Sequence, residues 1–349
     1  MKSPLTTLCY IEQDGKYLML HRVSKKNDVN RDKWIGIGGH FEDGESPEEC
    51  LLREAKEETG LTLTSWRFRG LVTFESEGVD QEYMCLYTAD GFTGELAQCN
   101  EGVLEWVPKR ELMRLNLWEG DKLFLRLLDE DAPFFSLKLV YRGDVLKYAA
   151  LDGRELELFD ICDETGELTG RVTERSVAHT LGLMHRTAHI WIVRRSADGF
   201  EVLLQKRSSE KESYPLCYDT SAAGHVTAGD GYEETARREL SEELGLAVGP
   251  DELTYVGRFD SGDIIQEFGG KPFHDREIAA VYVYNGEKVR AEELVLQADE
   301  VDSVRWMDYR ECLAHVEQGD PAFCVNPDGL RLVGKYFARV WPDIVCENA

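Results

Sequence analysis

Residues 39–61 read GHFEDGESPEECLLREAKEETGL, and residues 224–246 read GHVTAGDGYEETARRELSEELGL. The first stretch is punctuated as a helix. Ser46 is a capping residue, Pro47 suits the first helical position, Glu49 completes a capping box and Gly60 supplies the stop. Within it Glu54, Glu57 and Glu58 stand at i, i+3 and i+4, so three carboxylates share one face, while Leu51 and Ala55 lie on a neighbouring stripe that can pack inward. Glu239, Glu242 and Glu243 repeat the triplet above Ala236, Leu240 and Leu244. Alone, such a triplet reads as a solvated acidic helix or, with its repulsion neutralised, as a divalent-cation site; oxygen donors favour Mg²⁺ or Mn²⁺ over zinc. The other fixed positions separate these readings. Both copies fit glycine, five residues, an acid, seven residues, Arg-Glu, an apolar residue, any residue, Glu-Glu, any residue, glycine and an apolar residue. Each fixed position matches by chance at under about 0.1, so two full matches point to a shared metal site.

The repetition extends outward. TTLCYIEQ and KYLMLHR flank Asp14-Gly15, as HIWIV and FEVLLQKRS flank Asp198-Gly199, which predicts two hairpins. Arg22 and Arg207 are 185 residues apart, as are Gly39 and Gly224, whereas Trp106 and Trp306 are 200 apart. About 15 extra residues in the second copy fit best as a loop within Val256–Asp275, where Gly262, Gly269, Gly270 and Pro272 cluster. The pattern is a tandem duplication, with a boundary near Leu151–Arg154 and domains of 1–153 and 154–349. A chain of 349 residues with 42% hydrophobic content suffices for two cores.

The formal charge of −26, from 66 acidic and 40 basic residues, argues against a nucleic-acid polymer or an anionic membrane as partner. Neither a membrane span nor a signal peptide is visible at the start, so a cytoplasmic location is expected. Nine scattered cysteines without CxxC spacing predict neither a disulfide framework nor a zinc site.

With these residues in view, the chain resembles the Nudix hydrolase superfamily over essentially its whole length. The resemblance implies an α/β fold: two tandem α/β/α sandwiches, each with a mixed sheet and a loop-helix-loop carrying the box. It further implies that Glu54, Glu57 and Glu58, with a backbone carbonyl at Gly38 or Gly39, hold Mg²⁺ (Mn²⁺ being an alternative), and that Glu239, Glu242 and Glu243 do so in the second copy. Glu45 would brace Arg53, and Asp230, one methylene shorter, Arg238. The implied reaction is attack of water on a diphosphate; Glu57, Glu58, Glu242, Glu243 and Glu277 are catalytic candidates, and Glu82, in DQEYMCLY, is a further base candidate.

The first domain resembles the MutT-type branch, which hydrolyses 8-oxo-dGTP to monophosphate and pyrophosphate. Trp118 and Asp121 fit its base-reading pair, while Gly120 and Ile35 depart from residues found in some members. Trp118 also fits a half-buried packing role. From LELFDICDETGELTGRVTERS onward the chain resembles the branch containing isopentenyl-diphosphate isomerase. That branch places metal-binding histidines at His185 and His225, with acidic partners near Asp275 and Glu277. Its essential cysteine is Ala223 here, so hydrolysis is expected rather than isomerisation. Lone histidines are usually structural, and His179, His185 and His189 admit that reading, with His225 lining a pocket. A nucleotide-binding sensor with one degenerate domain is the alternative from another class, but no basic DNA-reading segment accompanies it.

Overall fold

The first apolar run folds back because Asp14 and Gly15 both adopt positive φ, 50° and 72°, as a two-residue hairpin turn requires. Strands β1 (Leu5–Gln13) and β2 (Lys16–His21) accordingly pair antiparallel, with Ile11 opposite Leu18. The computed structural model describes residues 4–24, 28–197, 199–211, 213–268 and 271–342. The chain divides into two compact units, Met1–Leu158 with Val172–Val177, and Phe159–Arg171 with Ala178–Ala349.

The first unit continues through β3 (Trp34–Ile35), α1 (Pro47–Thr59), β4 (Thr62–Ser76), β5 (Val79–Thr93), β6 (Val103–Pro108), α2 (Glu119–Asp129), β7 (Phe135–Arg142), β8 (Val145–Leu151) and β9 (Arg154–Glu155). Its sheet runs β3-β2-β1-β5-β4-β7-β8-β9, with β6 also on β2. The sheet is mixed, because β1–β5 and β4–β7 are parallel. Alternation along β1 sends Cys9 and Ile11 to one face, where Leu51 and Ala55 of α1 cover them. Tyr10 points to the other face and meets Phe124 of α2, ring centroids 6.0 Å apart.

The second unit takes in most of a two-stranded hairpin, β10 (Leu158–Cys162) and β11 (Leu168–Glu174), followed by α3 (Arg175–Leu181). Then come β12 (His185–Ser196), β13 (Gly199–Arg207), β14 (Tyr218–Asp219), β15 (Ala222–His225), α4 (Tyr232–Leu244), β16 (Leu253–Asp260), β17 (Ile264–Phe268), β18 (Lys271–Asp275), β19 (Glu277–Asn285), β20 (Val301–Asp308), α5 (Tyr309–Glu317) and α6 (Pro327–Val340). The same alternation operates. Ala188, Ile190 and Ile192 of β12 pack with Ala236, Leu240 and Leu244 of α4, whereas Trp191 and Val193 pack with Cys312 of α5 and Leu330, Val333 and Phe337 of α6. Each unit is therefore a mixed sheet between helices, as the family resemblance implied.

The expected loop within Val256–Asp275 is largely strand. Ile264–Phe268 and Lys271–Asp275 pair as a separate hairpin, with Gly269 and Gly270 outside the described residues, as are Asp198 of the earlier hairpin and Cys346. Pro272 lies within this small ribbon instead of breaking it; proline is tolerated there because the ribbon has only edge strands. The register also corrects the size of the insertion. The amides of Phe41 and Val226 donate to the carbonyls of Leu5 and Arg186, at 3.1 and 2.8 Å, so these positions correspond. Leu5 pairs with Tyr83 and Arg186 with Ile278, which makes Glu82 the counterpart of Glu277. The offset thus rises from 185 at His40 and His225 to 195 at Glu82 and Glu277 and 200 at Trp106 and Trp306. Ten extra residues precede β19, and five follow it before β20.

The two box helices start differently. Ser46 accepts the Glu49 amide at 3.2 Å while the Glu49 carboxylate accepts the Ser46 amide at 2.8 Å. Gly231, the cap of α4, offers no side chain. Ser46→Ala should therefore lower the stability of the first unit by about 1 kcal/mol, read as a shift in its urea midpoint.

Candidate metal and active sites

Geometry at the first box follows from Arg53. Its Nε and Nη2 grip the two oxygens of Glu45 at 2.6 and 2.9 Å, Nη2 also reaches the His40 carbonyl at 3.0 Å, and Nη1 donates to Glu54 at 2.7 Å and Glu57 at 3.3 Å. One guanidinium thus ties the incoming loop to two carboxylates of the helix. The hydrogen bond from Arg53 leads in holding the Glu45 carboxyl down at about 2. Glu54 lies against the backbone of Gly39, where a Cβ would come within 2.4 Å of its carboxylate. Glu58 is buried and accepts the Gly38 amide at 3.1 Å. Burial, reinforced by the charges of Glu54 and Glu101, pushes Glu58 up to about 8 although the Gly38 hydrogen bond opposes the shift. Glu57 is the outermost member, its side chain 61% exposed. Across the sheet, Glu82 stands 3.8 Å from His40 Nε2.

In the second unit Arg238 donates to Glu242 at 3.0 Å and to the His225 carbonyl at 3.3 Å, and pairs with Glu239 at 2.8 Å. Gly224 receives Glu239 as Gly39 receives Glu54, with only 2.1 Å left for a Cβ. Glu243 accepts the Ala223 amide at 3.3 Å and the Gln205 side-chain amide at 3.4 Å. Burial, and then the charge of Glu239, drives its carboxyl well above the ordinary range. The expected Asp230 brace is not formed: among the described residues Arg238 makes its ion pairs with Glu239 and Glu242. Asp230 occupies the place of Glu45, since its amide closes the same turn on Thr227 that the Glu45 amide closes on Glu42. Its carboxyl is one methylene short.

Beside this box lies a second group of donors. His179, His185 and His225 converge, as do His185, Asp275 and Glu277, their donor atoms within 4.8 Å of one another. His179 and His185 are each 3.7 Å from Asp275, and His185 and His225 are 3.8 and 3.5 Å from Glu277. Phe159 stacks on His185 and His225 at centroid distances of 4.8 and 4.6 Å, and Phe273 covers His179 at 4.7 Å. Burial would raise the Glu277 carboxyl, but His225, His185 and His189 outweigh it and hold it low. His179 therefore belongs to the cluster although the sequence admits a purely structural reading of it. His189 packs edge-on against Phe259.

Trp118 and Asp121 are adjacent at the start of α2, but the tryptophan is not a bare platform. Its Nε1 donates to Asn30 at 2.8 Å, its ring meets Tyr141 edge-on at 5.4 Å, and the Lys33 ammonium lies 4.7 Å over its face. Burial pushes the Asp121 carboxyl up to about 7, against the pull of Lys33 and Lys122. Sequence reasoning missed Glu101, which pairs with Arg22 and acts on Glu58, and Glu300, which pairs with Lys211 and acts on Glu243. Each precedes the strand bearing Trp106 or Trp306, and that position was the available signal. The described cysteines are free thiols, and Cys217 Sγ donates to the Pro321 carbonyl at 3.4 Å.

The donor sets suit divalent cations. In each box, carboxylates that repel one another are pressed against glycine backbone with little room for a side chain. In the histidine cluster, the 3.5–3.8 Å separations exceed ordinary hydrogen bonds and fall within the roughly 3–4 Å spanned by two ligands about 2.1 Å from one cation. Imidazole with carboxylate accommodates Mn²⁺ or zinc more readily than Mg²⁺.

The NUDIX domain family matches residues 2–128 and 184–323. An uncharacterized Nudix hydrolase of Clostridium acetobutylicum is 38% identical over 182 residues, 51% of this chain and 84% of the relative. Nudix hydrolase 3 of Arabidopsis thaliana is 34% identical over 168 residues, which cover 48% of this chain but 21% of that protein. Among solved structures, the MutT protein of Bacillus halodurans is similar at 28% identity and a TM-score of 0.39, covering 42% of this chain and 97% of that one.

Glu58 gives a signed prediction for the metal-free chain. Its folded pKa of about 8 lies above the ordinary 4.5, so its stabilising contribution is complete below about pH 4.5 and is lost as pH rises through 8. In EDTA the melting temperature of the first unit should fall between pH 6 and 9. Glu58→Gln should flatten that fall, as differential scanning calorimetry would register.

Proposed function

The chain belongs to the Nudix family as a diphosphohydrolase with two such domains, and from that premise we propose that residues 1–153 and 154–349 each carry a working, Mg²⁺-dependent site. The observation that carries this reading is the repeated geometry: an arginine reaching two of three helical carboxylates and the carbonyl of the following histidine, beside a glycine that admits the first glutamate. Glu54, Glu57 and Glu58 with the Gly39 backbone would hold the ion in the first site, and Glu239, Glu242 and Glu243 in the second. When bound, the ion supplies neutralisation of phosphate charge and a more acidic water. Water attacks one phosphorus of the anhydride, the bridging P–O bond breaks, and the water's proton passes to a carboxylate. Glu57, open to solvent, is assigned as that base, with Glu82 beside His40 as the competing acceptor. Glu58 and Glu243, deeper and bonded to backbone amides, fix the inner wall.

For the first domain the proposed substrate is an oxidised purine nucleoside triphosphate such as 8-oxo-dGTP, released as monophosphate and pyrophosphate. Asp121 supports this choice: a carboxyl titrating near 7 offers both a donor and an acceptor to the altered purine edge. Trp118, held by Asn30 and Tyr141, would flank the base after Lys33 moves aside. The second domain is assigned to another diphosphate, with Glu277 and His225 facing it and His179, His185 and Asp275 completing a second cation site that favours Mn²⁺. Isomerisation is disfavoured because Ala223 brings no thiol and its amide is bound to Glu243. The small-molecule diphosphate is the proposed partner, and a cytoplasmic setting is consistent with the absence, among the described residues, of a helix long and apolar enough to cross a membrane.

The test is pyrophosphate release with Mg²⁺ from 8-oxo-dGTP, ordinary nucleoside triphosphates and isopentenyl diphosphate. Glu57→Gln should reduce turnover of 8-oxo-dGTP at least 100-fold while Glu242→Gln spares it. Full activity in Glu57→Gln would remove that residue from the mechanism. Trp118→Ala should raise KM for the oxidised nucleotide more than it lowers kcat; equal effects on 8-oxo-dGTP and dGTP would discard the base-reading role.

A further inference from the structure

The box loop of the second unit has lost its arginine brace, yet it adopts the turn found in the first. We infer that a partly buried ion pair from outside the box, Asp160–Arg186, has taken over the positioning of this loop. Asp160 Oδ2 accepts from Arg186 Nη2 at 3.0 Å and from the amide of Gly229 at 2.8 Å. The same Nη2 donates to the carbonyl of Asp230 at 3.1 Å. The pair thus fastens two consecutive residues of the loop, one through its N–H and the next through its C=O. Arg186 also lies 5.3 Å over the ring of Tyr232, the first residue of α4. Phe159, next to Asp160, forms a backbone bridge with Thr227. Loop and helix start are therefore clamped from β10 and β12.

The two devices alternate between the units. Where the first unit has Glu45 gripping Arg53, the position of Arg186 is filled by Leu5, which cannot donate. Where the second has Arg186, the acid facing the box arginine is Asp230, which acts on Arg238 through its charge while the close ion pairs of that arginine go to Glu239 and Glu242. The side chains of Arg186 and Asp160 are only 9% and 15% exposed, and a charge pair so placed holds its geometry better than a surface pair. Its position matters chemically because the clamped loop joins His225 and Gly224, which receive the second site's donors, to the helix that bears Glu239, Glu242 and Glu243. Asp160 and Arg186 are positioning residues: their side chains bond to the loop at Gly229 and Asp230, although Arg186 directly follows His185 in the chain. The inference deepens the proposed second site but concerns the loop itself.

Hydrogen exchange followed by mass spectrometry on the full chain tests it without a substrate. Asp160→Ala and Arg186→Met should each speed exchange of the peptide spanning residues 226–231 at least tenfold, leaving residues 41–46 of the first unit unchanged. Adding Asp230→Glu, which restores the missing methylene and lets the acid reach Arg238, should recover most of the protection in Asp160→Ala. Should Arg186→Met unfold the unit, Arg186→Gln at native melting temperature reads the same effect, because a shorter, uncharged amide cannot span Asp160 and the Asp230 carbonyl as Nη2 does. Unchanged exchange in Asp160→Ala, or failure of Asp230→Glu to rescue it, overturns the inference. Mn²⁺ affinity measured by electron paramagnetic resonance in the same variants should fall about tenfold and recover with Asp230→Glu. A wild-type chain that binds no Mn²⁺ would dispose of the metal reading while leaving the exchange result to judge the clamp.

Discussion

Repulsion among carboxylates held on one face of a short helix is the constraint to which the rest of each unit answers. Glu58 and Glu243 are buried, Glu54 and Glu239 are pressed against glycine, and Glu57 and Glu242 project outward. Such a face is unstable in isolation. One arginine offsets part of the repulsion by spreading its charge over two members, and the backbone amides of Gly38 and Ala223 offset another part at the buried member. Burial, and after it the charge of neighbouring glutamates, displaces the carboxyls of Glu58 and Glu243 upward. A divalent cation placed there would offset both the burial and the repulsion, which is the physical ground for the proposed metal site.

The duplication shows which parts of this arrangement are fixed and which are interchangeable. The arginine, the glycine that admits the first glutamate, the inner carboxylate on a backbone amide and the histidine facing an acid on the parallel strand occur in both units. The loop clamp is interchangeable: Glu45 performs it locally, whereas Asp160 and Arg186 lie outside the box. The surroundings also diverge. The second unit surrounds its histidine and acid with His179, His185 and Asp275 under Phe159 and Phe273, and the segment contributing Phe273 and Asp275 belongs to the ten-residue insertion. The first unit places Trp118, Lys33 and a readily protonated Asp121 at the start of α2. One repeated carboxylate arrangement is thus set in two different surroundings.

Legibility in the sequence follows the range of the interactions. Ser46, Pro47, Glu49 and Gly60 announce α1 because capping is local, and the carboxylate triplet is visible because helical spacing is fixed. Asp14-Gly15 announces its hairpin for the same reason. The glycines and proline of the insertion misled because they mark turns in strands as readily as in loops, and only pairing distinguishes the two. His179 and Glu101 were not assigned to the sites because their partners are distant in the chain, and neither belongs to a spaced motif.

The duplication and the Nudix box were determined by the sequence alone, since periodicity, capping and fixed spacing act over a few residues and leave a readable record. Tertiary structure decided that Asp230 makes no close ion pair with Arg238 while Asp160 and Arg186 secure its loop, and that residues of α3, β12, β15, β18 and β19 form two groups of three donors sharing His185. A difference of one methylene, and the crossing of strands remote in sequence, act through distance in space, which a linear order of residues does not contain.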